Sequence, residues 1–134
     1  MARLILDTGV LVAAGRGRLR SRAFTDEDDV ALPAVALAEY LAGLHRDRDE
    51  ERRAEQREFL SRVLAVVPVE DYTPSVAEHH AVLLAEVART GTPRGAHDLI
   101  IAATARATAR VLVTTDAKAK FEELSDVTVR LVPR

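Results

Sequence analysis

The sequence contains no cysteine, no tryptophan and only 4% aromatic residues. Without cysteine there is no disulfide framework and no thiolate metal site, which suits a reducing compartment. So few rings leave no platform on which successive bases of a single strand could stack. A bilayer span needs about 20 consecutive apolar residues, and no such run is present. The opening stretch, Met1-Ala2-Arg3-Leu4-Ile5-Leu6-Asp7, is too short in apolar residues even for a secretory signal. A cytoplasmic location with no membrane contact is the expectation. Charge of one sign is lacking too: 19 Lys and Arg stand against 21 Asp and Glu, a formal net charge of −2. Total charge therefore does not point to nucleic acid, although a metal that neutralised several acids would leave the remaining surface more basic than this balance. What is present is ample for a core, since 48% of the 134 residues are hydrophobic. The length fits a single domain over residues 1–134.

Short apolar runs alternate with longer helical patterns. Leu4-Ile5-Leu6 reads as a buried strand, closed by the turn Asp7-Thr8-Gly9. Val10 opens a helix that Gly15-Arg16-Gly17-Arg18 interrupts. Ala31-Leu32-Pro33 is a second short strand, and 34–44 a helix stopping near Gly43. Residues 47–62 form a helix dense in mixed charge, a solvated surface for most of its length. Its apolar residues gather late, at Phe59, Leu60, Val63 and Leu64. A strand is expected over 66–69. Ser75 can cap a helix running to about Arg89, with Ala77, Ala81, Leu84 and Ala88 on one stripe. After the loop 91–95, residues 98–109 form an almost wholly apolar, hence buried, helix. A strand over 111–113, a short helix over 117–124 and a last strand over 127–132 complete the chain. Such alternation specifies an α/β fold, a mainly parallel sheet with helices on both faces.

Against this apolar background four acids stand out. Asp7 ends the first strand, Glu39 lies within Ala34-Val35-Ala36-Leu37-Ala38-Glu39-Tyr40-Leu41-Ala42, Asp98 opens the buried helix, and Asp116 follows Val111-Leu112-Val113-Thr114-Thr115. Carboxylates are rarely buried unless paired or bound to metal. Ligands of open α/β sheets bind beyond the carboxyl ends of the strands, and that rule places Asp7, Asp98 and Asp116 on one edge. Each of these three also sits where an aspartate caps a helix, but capping does not account for Glu39. A shared hard cation does. Mg²⁺ or Mn²⁺ prefers oxygen ligands, keeps several waters and binds phosphates, so the pattern suggests a metal-dependent phosphohydrolase.

The segments Leu4-Ile5-Leu6-Asp7-Thr8-Gly9-Val10-Leu11, Ala36-Leu37-Ala38-Glu39-Tyr40-Leu41-Ala42-Gly43, Gly91-Thr92-Pro93-Arg94-Gly95-Ala96-His97-Asp98-Leu99-Ile100-Ile101-Ala102-Ala103 and Leu112-Val113-Thr114-Thr115-Asp116 together resemble the PIN-domain ribonucleases. Within them the chain is most similar to VapC toxins of bacterial toxin–antitoxin pairs, over nearly its whole length. The resemblance implies a three-layer α/β/α fold and Mg²⁺- or Mn²⁺-dependent cleavage of RNA. It further implies a VapB-type antitoxin partner and a homodimer. By position, Asp7, Glu39 and Asp98 match the family's three metal-site acids and Asp116 the fourth. Thr115 resembles the small hydroxyl residue that orients the cluster, and Thr8 follows the first acid as is usual there. In one departure, Ala117-Lys118-Ala119-Lys120-Phe121 follows Asp116 where many relatives carry another acid, which leaves the number of metals open.

Candidate phosphate contacts are the basic run Arg16, Arg18, Arg20 and Arg22, then Arg94 before Asp98, and Lys118 and Lys120 after Asp116. Each is equally compatible with a solvated surface. His79 and His80 are adjacent on a helix and point apart, and His97 has no evident partner. Three other functions compete. A phosphatase of the haloacid-dehalogenase type would need a second aspartate two positions after Asp7, where Gly9 stands. A receiver domain would need an acidic pair after the first strand. A non-catalytic RNA- or protein-binding module of the same fold would be signalled by loss of an acid, and all four are present.

Overall fold

The structure, a computed structural model, describes residues 1–19 and 24–133. Its strands are β1 (Arg3–Leu6), β2 (Asp29–Pro33), β3 (Val69–Glu70), β4 (Val111–Thr114) and β5 (Val129–Leu131). Between them lie the helices α1 (Thr8–Gly15), α2 (Ala34–Arg46), α3 (Glu50–Val66), α4 (Pro74–Thr90) and α5 (Ala96–Ala107). All strand pairs are parallel, in the order β3-β2-β1-β4-β5. The α/β expectation holds.

Both faces of the sheet are covered, which is why its strands are apolar throughout rather than alternating. Leu4, Leu6, Val30, Leu32 and Val113 face one side, where α1, α2 and α3 supply Val10, Leu11, Ala36, Tyr40 and Leu60. Ile5, Ala31 and Leu112 face the other, against Val76 and Leu83 of α4 and Leu99, Ile101 and Ala102 of α5. A period of two along each strand thus feeds two cores. Arg110 is buried, and its guanidinium bonds the Leu4 and Asp29 carbonyls and the Asp29 and Glu70 carboxylates at 2.9–3.4 Å. A buried charge with those partners ties β1, β2 and β3 together.

Several boundaries differ from the sequence expectation. Helix α2 runs through Gly43 to Arg46, because one glycine costs a helix only about 1 kcal/mol against Ala. Helix α3 starts at Glu50, where the Asp49 carboxylate accepts the Glu51 and Arg52 amides. It extends to Val66 and shortens the next strand to Val69–Glu70. Thr73, not Ser75, caps α4: its hydroxyl accepts from the Val76 amide, and Pro74 holds the first helical position. That start buries Val76 and Leu83, while Leu84 stays 49% exposed. Gly91 closes α4 at φ 70°, a left-handed cap that suits glycine. The helix expected over 117–124 is two 3₁₀ turns, Ala117–Ala119 and Phe121–Glu123, because Lys120 at φ 50° breaks the run.

Candidate active site

Strand order changes direction at β1, with β2 on one side and β4 on the other, and such a switch opens a crevice beyond the strand ends. Asp7 lies there. Its amide donates to the Val113 carbonyl at 2.9 Å, which fixes it over the β1–β4 junction. Its carboxylate caps α1, accepting from the Thr8 amide at 2.8 Å, and accepts the Thr114 hydroxyl at 2.8 Å. Asp98 is the third residue of α5 rather than its cap, because Gly95 takes that position. A side chain there points at the helix entry, toward the same crevice. Asp116 caps the first 3₁₀ turn, accepting the Lys118 and Ala119 amides at 2.9 and 3.2 Å. Glu39 reaches the site from α2. Its Oε1 accepts the Thr8 hydroxyl at 2.8 Å, and its Oε2 stands 3.4 Å from His97 Nδ1.

These four acids line one open cleft of about 520 Å³, with Thr8, Gly9, Thr115, Ala117 and Lys118. The approach of α1 to β4 is close. A Cβ on Gly9 would stand 2.9 Å from Thr115 Oγ1, so a larger residue here would push the Thr115 side chain aside.

The electrostatics are dominated by clustered negative charge. Asp7 is 7% exposed. Burial pushes its pKa up to about 6, with the charges of Asp98 and Glu39 adding to the rise and the Thr114 and Thr8 hydrogen bonds opposing it. Asp98 is also raised, first by burial and then by Glu39 and Asp116, with His97 and Arg94 opposing the rise. The donors bonded to Asp7 are neutral. Among the described residues the four side chains are not gathered into a closed cage; Glu39 and Asp116 are instead turned onto protein donors. An all-oxygen donor set around a buried carboxylate that lacks a countercharge nevertheless fits Mg²⁺ or Mn²⁺, which take one or two direct carboxylates and keep water elsewhere.

The other candidates divide. The hydroxyl that orients Asp7 is that of Thr114: besides donating to Asp7 it accepts the Asp116 amide at 3.0 Å. Thr115 lines the cleft beside it. Nothing in the Thr114-Thr115 pair distinguishes the two by sequence. Thr8 acts as the donor to Glu39, and His97 gains Glu39 as a neighbour. Arg94 is not free to meet a phosphate. Its guanidinium bonds the Ala119 and Lys120 carbonyls and the Glu123 carboxylate, clamping the segment that carries Asp116 to the loop before Asp98. Lys118 is exposed at the cleft rim, and Arg16 and Arg18 lie beyond α1. Arg20 and Arg22 lie outside the described residues. His80 bonds the Tyr72 hydroxyl at 2.9 Å and His79 accepts from Arg106 at 3.2 Å, so each has a separate partner.

The profile of the PIN domain family matches residues 4–126, and the chain belongs to that family. Within it, the chain is 28% identical to a Ribonuclease VapC of Rickettsia bellii, over 97% of this chain and 96% of the relative. It is 29% identical to the tRNA(fMet)-specific endonuclease VapC of Shigella flexneri, over 92% and 93%. Among solved structures, VapBC-5 of Mycobacterium tuberculosis aligns over the full length of both chains with a TM-score of 0.79 and 25% identity. VapBC2 of Rickettsia felis, bound to a promoter DNA fragment, shares the fold with a TM-score of 0.84 over 96% and 98% at 22% identity. No helix among the described residues is long and apolar enough to cross a membrane.

Proposed function

We propose that this chain is the toxin of a toxin–antitoxin pair, a VapC-type ribonuclease that uses Mg²⁺, or Mn²⁺ in its place, to hydrolyse RNA phosphodiester bonds. The observation that carries the reading is the buried, uncompensated Asp7 facing Asp98 and Glu39 across one cleft. Asp7 and Asp98 would hold the ion, with Asp116 and Glu39 binding it directly or through water. When bound, the ion lowers the pKa of a coordinated water and offsets charge on the scissile phosphate.

The chain's own residues do the rest. Thr114 locks Asp7 through one oxygen and the Thr8 amide through the other, so the carboxylate keeps one orientation. Thr8 holds Glu39 by Oε1, which leaves Oε2 toward the cleft and His97, placed to take a proton from the attacking water. Lys118 at the rim offers an ammonium to the RNA backbone.

The partner is a cognate antitoxin. An apolar groove between α1 and α3, lined by Val10, Ala14, Phe59, Val63 and Val66, supports this. Val66 is 79% exposed there, and an amphipathic helix suits such a seat. A homodimer is part of the same reading, and light scattering tests it. The decisive experiment is cleavage of RNA by the purified chain with Mg²⁺, beside the Asp7→Asn and Asp98→Asn variants. Loss of cleavage in both variants, with unchanged circular dichroism, is expected. Undiminished metal-dependent cleavage by either would remove the assignment, and metal-dependent RNA binding with no turnover in the parent chain would favour a binding module.

A further inference from the structure

On the far side of Glu39 from the cleft lies a groove of about 280 Å³ between α1 and α2, whose walls include Val12, Arg16, Tyr40, Gly43 and Arg46. Glu39 lines both spaces, so the two adjoin at its side chain. Two features of this groove stand out. Gly43 sits in the interior of α2, where glycine costs about 1 kcal/mol against Ala. Its φ is not left-handed, and a Cβ built on it meets nothing within 4 Å. No neighbour requires the glycine, and what the missing side chain leaves is open floor. The second feature is charge. The side chains of Arg16 and Arg46 make no hydrogen bond or ion pair among the described residues, while the two carboxylates that line the groove each accept hydrogen bonds. Asp47 is held by Arg52 at 2.9 and 3.0 Å, and Glu39 by Thr8. The groove therefore offers unspent positive charge beside a negative centre.

We propose that this groove seats the RNA strand on one side of the scissile bond, with Arg16 and Arg46 contacting backbone phosphates and the gap at Gly43 letting the strand pass close to α2. The inference rests on the ribonuclease reading and adds a direction to it. A strand crossing the acids has to leave the cleft on both sides. On the α5 side Arg94 is consumed by the Ala119 and Lys120 carbonyls, which leaves Lys118 and Lys120 at that rim. On the α1–α2 side the two free arginines are in place.

The test compares KM and kcat for a long single-stranded RNA and for RNAs truncated close to the cut on either side. In Gly43→Leu and in the Arg16→Ala/Arg46→Ala double variant, KM for the long RNA rises about tenfold, with a smaller change in kcat. The advantage of long over truncated RNA on one side collapses. In the double variant the dependence of log KM on log salt becomes shallower by about 1.4, the value for two phosphate contacts to a single strand. Gly43→Leu also raises the melting temperature, because leucine is the better helix former, so weaker binding cannot be ascribed to a damaged fold. Arg89→Ala, on α4, leaves these parameters unchanged. Unchanged KM and salt dependence in both groove variants, with the parent chain cleaving RNA, overturns the groove and spares the ribonuclease reading. Unchanged RNA parameters with weakened antitoxin capture assigns the groove to a peptide and overturns it equally. A parent chain that cleaves no RNA is instead a failure of the ribonuclease reading itself.

Discussion

The Thr114 hydroxyl donates to Asp7 at 2.8 Å while accepting the Asp116 amide at 3.0 Å. One side chain at the end of β4 therefore sets both the buried acid and the backbone of the exposed one. Thr114→Val removes the donor and leaves a buried carboxylate oxygen unsatisfied, at a cost of about 1–3 kcal/mol. Denaturant titration should show that loss, together with reduced cleavage. Thr114→Ser should restore most of both.

Asp7 supplies a pH dependence whose sign can be worked out. Its folded pKa is about 6 against an ordinary 3.8, so the metal-free folded chain binds more protons than the unfolded chain between those values. This group's contribution is then most favourable below about pH 4 and declines as pH rises through about 6. At about 1.4 kcal/mol per pH unit the decline approaches 3 kcal/mol. Asp7→Asn should therefore make the metal-free protein more stable at pH 7 while abolishing cleavage. Thermal melts in chelator, at pH 5 and pH 7, check it.

Divalent metal should reverse that trend. Binding requires the ionised carboxylates, so Mg²⁺ should raise the melting temperature more at pH 7.5 than at pH 5. The gain should approach about 2.7 kcal/mol at a hundredfold excess over Kd. Chelator should remove the effect in the parent chain, and Asp7→Asn should show none. An equal shift at both pH values would argue against Asp7 as a ligand.

Thr8 acts through Glu39. Thr8→Val leaves the Glu39 carboxylate without its 2.8 Å hydroxyl donor, and supporting contacts of this type are worth about 10–100-fold in metal affinity or activity. Metal titration of the cleavage rate should show the metal requirement moving up, with Thr8→Ser close to the parent.

Arg94 is expected to matter for position rather than for substrate charge. Arg94→Ala frees the Ala119 and Lys120 carbonyls and Glu123, and should cost about 1–3 kcal/mol. It should lower kcat more than it raises KM, because the segment carrying Asp116 loosens while Lys118 at the cleft rim remains. A pure rise in KM would return Arg94 to the phosphate contacts.

Much of the fold was legible in advance. Continuous apolar strands bounded by turn residues announced a parallel sheet buried on both faces, and the acids at strand ends announced the edge where the cleft opens. Misplacement fell mainly at helix boundaries and in the short helix over 117–124, which is two 3₁₀ turns. Gly43 read as a stop because its local cost is visible and the tertiary support of α2 is not. Ser75 read as a cap because Thr73 and Pro74 compete with it over two residues.

The sequence alone determined the order of elements, the apolar faces and the presence of four acids, three of them near strand ends and helix starts, since these depend on neighbours a few residues apart. Tertiary structure decided which groups meet. The Thr114–Asp7 bond joins residues 107 positions apart, and Thr8–Glu39 joins residues 31 apart. No local pattern separates Thr114 from Thr115 or shows that Arg94 is already spent on carbonyls. The raised pKa of Asp7 belongs to the same class, because desolvation is a property of the assembled cleft and not of any segment that builds it.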